Sequence, residues 1–342
     1  MNILSIDTSC DDTSVAITNG RRVLSHVEFS QIKVHAPYGG VFPSLAKREH
    51  LTKIDPAIHL ALKKAHLEIS DINAIGITFG PGLPPALEVG VNKAKELATK
   101  LKLPLIPVDH IEGHIYSPFV QNREGKPLLE IPYPFLSFVI SGGHTEIVLL
   151  KAPCDYQILG ETLDDAAGEA LDKAARLLGL GYPGGPLIET LSKTGDKQKY
   201  PLTIPMLQSG NLDFSFSGLK SAFKRLVYEL GEVEVNKNLV NLAASFQNTV
   251  FTALFKKLDM ALKLYPLKNI GFGGGVSTNR TFRALARSRY PKLKLHFPPL
   301  KYLNTDNASM IGVVAHLRYE KGLFLKNSAT LDRVPRANLY TG

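Results

Sequence analysis

The chain has 342 residues, 40 Lys and Arg against 31 Asp and Glu (formal net charge +9), and 44% hydrophobic residues. That length and apolar share allow two domains with real cores and exclude a disordered, collagen-like or coiled-coil chain. Two cysteines, Cys10 and Cys154, exclude a disulfide framework, and no uncharged apolar run approaches the ~20 residues that span a bilayer. The N-terminus lacks the cationic leader and cleavage site of a signal peptide, so a soluble cytoplasmic protein with no membrane association is expected.

In chain order, residues 3–7 and 13–17 are β-rich runs around a small polar loop, a hairpin, and residues 23–29 add a third strand after the Asn19-Gly20 turn. A helix is predicted from Ser44, as N-cap, to Lys64. Residues 74–78 form a buried-type strand that runs into Gly80-Pro81-Gly82 and a helix over 85–100, followed by a strand at 105–108. The same order then recurs. Strands at 135–140 and 146–150 flank Ser141-Gly142-Gly143-His144-Thr145, helical patterns occupy 163–178, 217–230 and 238–264, and a strand at 269–272 meets Gly273-Gly274-Gly275 before a helix at 279–289. Residues 121–134 and 192–213 read as loops. Two similar α/β lobes facing a cleft are expected, 1–108 (completed by 325–342) and 109–324.

Three strand ends carry small-residue loops, at 7–13, 141–145 and 273–279. Without side chains, backbone N–H groups can approach phosphate oxygens, and a following helix adds its positive end. No Walker lysine motif occurs, which excludes a P-loop NTPase. Asp109-His110-Ile111-Glu112-Gly113-His114 sets two imidazoles four residues apart, on one helical face, as a shared metal ion needs. A zincin's His-Glu-x-x-His would put Glu directly after the first His; Ile111 stands there instead, so a metalloprotease loses its general base. Thr305-Asp306-Asn307-Ala308 offers an acid at a helix start, although spacing alone cannot join residues so distant. Arg280, Arg283 and Arg287 recur at helical spacing, and with Lys47, Arg48 and Lys220 they form either solvated faces or a polyanion surface.

These loops fit the actin-like ATPase superfamily, and the sequence closely resembles the universal tRNA N6-adenosine threonylcarbamoyltransferase family, bacterial TsaD type. The segments that carry the resemblance run end to end: residues 6–13, Gly80 to Leu83, His110 to His114, Ile140 to Thr145, Leu163 to Lys173, Tyr182 to Pro186, Phe214 to Lys220, Gly273 to Arg280, and Thr305 to Ala308. Departures are Asp12 where Glu is common, Ser44 where Glu is usual, and Glu189 where many relatives have Asp.

The resemblance implies an α/β fold of two actin-like (ASKHA, sugar kinase–Hsp70–actin) lobes flanking an active-site cleft. It implies metal ligation by His110, His114 and Asp306, with Fe2+ or Zn2+ as the ion. Val139, Ile140, Ser141, Gly142, Gly143, Asp172, Gly185, Glu189 and Asn279 match positions that hold L-threonylcarbamoyl-AMP, and Asp11 matches an acidic residue important for activity. The implied reaction is attack of N6 of adenosine 37 in tRNA on the carbamoyl carbon, expelling AMP. The implied partners are tRNA, the paralogous dimerisation protein TsaB and the ATPase TsaE. Lys47, Arg48, Lys220 and the Arg280 helix are expected to hold tRNA phosphates. A small-molecule kinase of the same superfamily and a nucleotide-switched assembly protein stay open as alternatives.

Overall fold

The computed structural model describes residues 1–204, 206–337 and Leu339, excepting the side chain of Lys301. The chain divides into two compact units, Met1–Tyr133 with Ala152–Tyr156 and His296–Gly342, and Pro134–Lys151 with Gln157–Leu295. The first unit therefore takes in residues 109–133, 152–156 and 296–324, which the expected bounds gave to the second lobe.

The first unit opens with β1 (Asn2–Asp7), β2 (Asp12–Asn19) and β3 (Arg22–Ser30), the hairpin and third strand expected from the turn residues. After α1 (Ile32–His35) come α2 (Pro43–Ala65), β4 (Ala74–Gly80), α3 (Pro84–Leu101), β5 (Leu105–Asp109) and α4 (His110–Tyr116). Helix α2 starts one residue before Ser44, and its N-cap is Phe42 with no side-chain cap, because Pro43 supplies the first-turn φ. The sheet order is β3-β2-β1-β4-β5, with β1 and β2 antiparallel and β4 parallel to both β1 and β5.

The second unit has β6 (Phe135–Ile140), β7 (Thr145–Ala152), β8 (Asp155–Glu161), α5 (Ala167–Leu177), α6 (Gly184–Ser192), α7 (Ser217–Lys237, broken at Gly231), α8 (Leu239–Leu264), β9 (Asn269–Gly273), α9 (Arg280–Arg289) and β10 (Lys294–His296). Its sheet order, β10-β9-β6-β7-β8, repeats that of the first sheet. Helix α10 (Ala308–Glu320) returns the chain to the first unit.

Strand alternation explains how α10 lies on the first sheet. Leu4, Ile6, Val15 and Ile17 point to the apolar layer of α2 and α3, where Ile54, Ala57, Ala61 and Ala94 are buried. The opposite face carries small residues. Ser5 Oγ donates to the Ala308 carbonyl (2.7 Å), the Ala308 amide donates to Ser14 Oγ (2.9 Å), and a Cβ on Gly76 would lie 3.0 Å from Ala315 Cβ. Gly312 faces Thr18 and Ser5 so closely that a Cβ there would be 2.5 Å from Thr18 Oγ1 and 2.9 Å from Ser5 Oγ.

Gly312→Ala is expected to lower stability by ~1–3 kcal/mol through overpacking, despite alanine's better helix propensity. Urea unfolding checks this, with Gly218→Ala, whose Cβ would meet nothing within 4 Å, expected to unfold like the parent.

Candidate metal centre and ligand loops

Helix α4 is buried at every residue, and the Asp109 side chain caps it, accepting from the Ile111 amide (2.7 Å) and the Glu112 amide (3.4 Å). Their four-residue spacing brings the His110 and His114 rings 4.7 Å apart, nearly perpendicular. Asp306, just before Asn307 caps α10, sets Oδ1 3.2 Å from His110 Nε2 and 3.3 Å from His114 Nε2. One potential ligand atom from each of the three residues lies within 4.8 Å of the other two.

The surroundings orient these groups. His110 Nδ1 bonds Ser9 Oγ (3.1 Å) and lies 3.5 Å from Asp7 Oδ2, while Asp7 Oδ1 accepts from the Ser9 amide (3.0 Å). A ring nitrogen held from behind leaves Nε2 aimed at a shared point. Burial lowers the pKa of His110, yet the negative charges of Asp306 and Asp7 outweigh it and raise the imidazole well above its ordinary value. His114 goes the other way, lowered chiefly by burial. Burial likewise disfavours the Asp306 carboxylate, but the His110 charge prevails and holds Asp306 well below the usual range. Both ring nitrogens of His114 and Asp7 Oδ2 are buried without a hydrogen-bond partner. Two buried imidazoles, one with both nitrogens orphaned, beside a part-buried carboxylate fit a divalent transition ion.

Glu112, one place late for a zincin base, points instead to α10. Its Oε2 pairs with Arg318 (3.1 Å), and its Oε1 accepts from the Tyr156 hydroxyl. Glu112 is 1% exposed and the Arg318 side chain 7%, so the pair is an internal clamp between the helix bearing both imidazoles and the helix that follows Asp306. Gly113 allows the approach, since a Cβ there would be 2.9 Å from Met310 Cγ. Sequence reasoning passed over Arg318, which sits in a helix without a polar stripe, and it also passed over His50. His50 ties the loop between β1 and β2 to α2 through Thr13 Oγ1 (2.7 Å) and the Cys10 carbonyl (3.0 Å). On that loop Asp11 is raised by burial first and the Asp306 charge second, and Asp12 is pushed to about 8 by burial and then by Asp11.

In the second unit, the Ser141 amide donates within the hairpin to the His144 carbonyl (2.8 Å), and the Gly168 amide donates to the Ser141 carbonyl (3.2 Å). Gly274, at φ 83, stands so close to the end of β6 that a Cβ would be 2.5 Å from the Ile140 carbonyl oxygen. Asp172 Oδ1 accepts from the Gly184 and Gly185 amides (2.8 and 3.0 Å), and Glu189 Oε1 accepts from the Arg280 amide (2.8 Å). Asn279 caps α9 through the Phe282 amide (3.1 Å) and donates to Gln247 Oε1 (2.9 Å). Val139 and Ile140 are fully buried, whereas Gly142, Gly143 and Gly185 border open space within 4 Å of any Cβ they could carry. The expected ligand residues thus fall into two bonded groups, 139–143 with Gly168 and Gly274, and Asp172, Gly185, Glu189 and Asn279 around the starts of α6 and α9.

Several expected cations are already paired: Lys47 with Glu88 (2.8 Å), Lys220 with Asp165 (2.8 Å), and Arg283 Nε with the Ser277 carbonyl (2.7 Å). Arg48 keeps 71% of its side chain exposed, 3.8 Å from Glu49.

Among solved structures the chain is similar to HypF of T. kodakarensis (TM-score 0.63, 13% identity, covering 96% of this chain and 48% of that one). It is also similar to component A of (R)-2-hydroxyglutaryl-CoA dehydratase of Acidaminococcus fermentans (TM-score 0.56, 14% identity, covering 94% and 99%). Fold and paired five-stranded sheets define an α/β protein of the ASKHA class. The tRNA N6-adenosine threonylcarbamoyltransferase family profile matches residues 22–313. Proteins of that name from Thermosipho africanus (42% identical, covering 99% of this chain and 100% of the relative) and Bacillus subtilis (44%, covering 94% and 92%) are similar over nearly the whole chain. The chain belongs to the tRNA N6-adenosine threonylcarbamoyltransferase family and is a transferase.

Removing one charge of the clamp strands the other in the core. Arg318→Met is expected to cost ~3–5 kcal/mol, and the double variant Glu112→Gln/Arg318→Met to recover most of it, in a chemical-unfolding double-mutant cycle. Asp12 binds its proton more tightly when folded, so its contribution to stability falls as pH rises from ~4, its unfolded value, towards its folded value of about 8. In metal-free protein, the stability of Asp12→Asn relative to the parent should therefore rise across that interval and level off above it, as measured by unfolding at stepped pH.

Proposed function

We propose that this transferase moves the threonylcarbamoyl group of L-threonylcarbamoyl-AMP to N6 of adenosine 37 in tRNA, with a divalent ion, Fe2+ before Zn2+, held by His110, His114 and Asp306. The observation that carries the reading is the convergence of those three residues, 196 positions apart at the extremes (306 − 110), on one point. A bound ion would act there as a Lewis acid for ligand oxygens.

The chain's own groups do the rest. Ser9 and Asp7 fix the His110 ring, and the Glu112–Arg318 clamp holds α4 to α10. Asp11, its carboxylate made more basic by burial, takes the proton that the aromatic amine releases as the new N–C bond forms and AMP departs. The backbone amides of Ser141, Gly142 and Gly143 suit the phosphate and carbamoyl end, since the glycines border open space. Val139 and Ile140 anchor that loop from the core; Asp172, Gly185, Glu189 and Asn279 serve the nucleoside, Asp172 through the oxygen its glycine amides leave free. Adenosine 37 lies in an unpaired loop, where a base is splayed into a pocket without opening a duplex. Arg48 and Arg280 are both exposed, which supports a role in meeting phosphates.

Supporting partners are TsaB and TsaE, and the compartment is the cytoplasm; among the described residues no helix is long and apolar enough to cross a membrane. A kinase reading leaves the two histidines and Asp306 idle, and the family match does not favour it.

Metal analysis of purified chain should find about one transition ion per chain, falling at least tenfold in His114→Ala. Nucleoside mass spectrometry after incubation with tRNA, L-threonylcarbamoyl-AMP and the partners should show threonylcarbamoyladenosine with the parent and a loss of ~100-fold or more with the variant, the scale of removing a group that stabilises developing charge. A metal-free parent of full activity would overturn the metal assignment.

A further inference from the structure

In the first unit the exposed side chains of Tyr38 (64% exposed) and Phe42 (51%) form a pair, with ring centroids 5.6 Å apart and planes within 25° of parallel. Leaving two aromatic rings in water forgoes their burial, so their presentation calls for a partner surface. The segment that presents them is built rather than loose. Gly39, at φ 65, ends a single turn over Ala36–Tyr38, and Pro37 and Pro43 stiffen either side of the pair.

Its backbone is also fastened to the loop between β1 and β2. The Phe42 amide donates to His35 Nδ1 (3.3 Å), which leaves His35 Nε2–H to donate to Gln31 Oε1 (2.9 Å), and the Gln31 amide donates to the Asp11 carbonyl (3.1 Å). His35 and Gln31 are buried, so three bonds in series join the Phe42 backbone to the Asp11 backbone. From Gln31 to Arg48 the sequence holds Lys33, Lys47 and Arg48 and no Asp or Glu. Lys47 is neutralised by Glu88, whereas Lys33 and Arg48 are exposed.

We propose that Tyr38 and Phe42 form a stacking platform for an unpaired nucleobase of the tRNA anticodon loop, next to the adenosine that is modified. This rests on the tRNA reading above and adds to it a contact by π-faces. Stacking on aromatic rings accepts any base, and the exposed cations Lys33 and Arg48 on the same segment suit a phosphate backbone, although Arg48 also lies 3.8 Å from Glu49. The platform accounts for how a loop base is held flat beside its reacting neighbour while Arg48 meets the phosphates.

The test uses the full chain with its partners, L-threonylcarbamoyl-AMP and an unmodified tRNA transcript, with product counted by nucleoside mass spectrometry. Tyr38→Ala and Phe42→Ala should each raise the KM for tRNA roughly tenfold, the scale of one lost base stack. The KM for the donor, kcat at saturating tRNA and the salt dependence of KM should stay at parent values, and Tyr38→Phe and Phe42→Tyr should keep the parent KM. On the RNA side, a transcript with an abasic nucleotide beside adenosine 37 should lose the same factor with the parent and nothing further with the Ala variants. Parent-like KM in both Ala variants, equal sensitivity of parent and variants to the abasic site, or loss of TsaB association with tRNA KM unchanged would each overturn the platform. A parent that yields no modified nucleoside from any transcript would instead overturn the tRNA reading on which it rests.

Discussion

Glu112 and Arg318 are opposite charges withdrawn from water, and the geometry of the candidate metal centre depends on their meeting. Helix α4 is only seven residues long, too short to be stable by itself, and it carries both imidazoles. Its orientation comes from outside: the Asp109 cap at one end, the Arg318 pair and Tyr156 hydroxyl in the middle, and the close seat of Gly113 on Met310 and Ile311. A buried ion pair adds little net stability over a well-packed apolar contact, but it tolerates few arrangements, because a charge left unpartnered in the core is costly. Selectivity of geometry is what a three-ligand site requires.

The two sheets share one strand order but carry different chemistry at equivalent loops. From the end of β1 to the start of β2 stand Asp7, Ser9, Asp11 and Asp12; burial first, then the charge of Asp306 on Asp11 and of Asp11 on Asp12, raises the last two. After β6 the equivalent loop is Ser141-Gly142-Gly143, with no charge and little side chain. An acidic loop favours a cation and repels phosphate; a glycine loop exposes amide donors and admits it. A repeated architecture thereby carries two loops of opposite electrostatic character.

Much of this was legible in the chain. The hairpins announced themselves through β-branched runs and turn residues, and the histidine spacing pointed to a shared ion. Other elements left no such trace. Helix α10 is buried on nearly every side from Ala308 to Ala315, so it shows no apolar stripe, and only its start was readable. Strand β10 is three residues long, β8 is half-exposed, and α6 hides behind Pro183-Gly184-Gly185-Pro186, which reads as a turn. The basic residues misled in a different way, since Lys47 and Lys220 are bound to acids 41 and 55 positions away in sequence.

By itself the sequence determined the class of fold, the family and the candidate ligand side chains, because these depend on local periodicity, turn chemistry and residue type. Tertiary structure alone decided that Asp306 faces His110 and His114, that Glu112 turns from the site to meet Arg318, and that Tyr38 and Phe42 stand paired in water. Each of these is a contact, or a lack of one, between residues whose separation along the chain is fixed but whose separation in space follows only from packing α10 on the small-residue face of β1 and β2 and from the turn at Gly39.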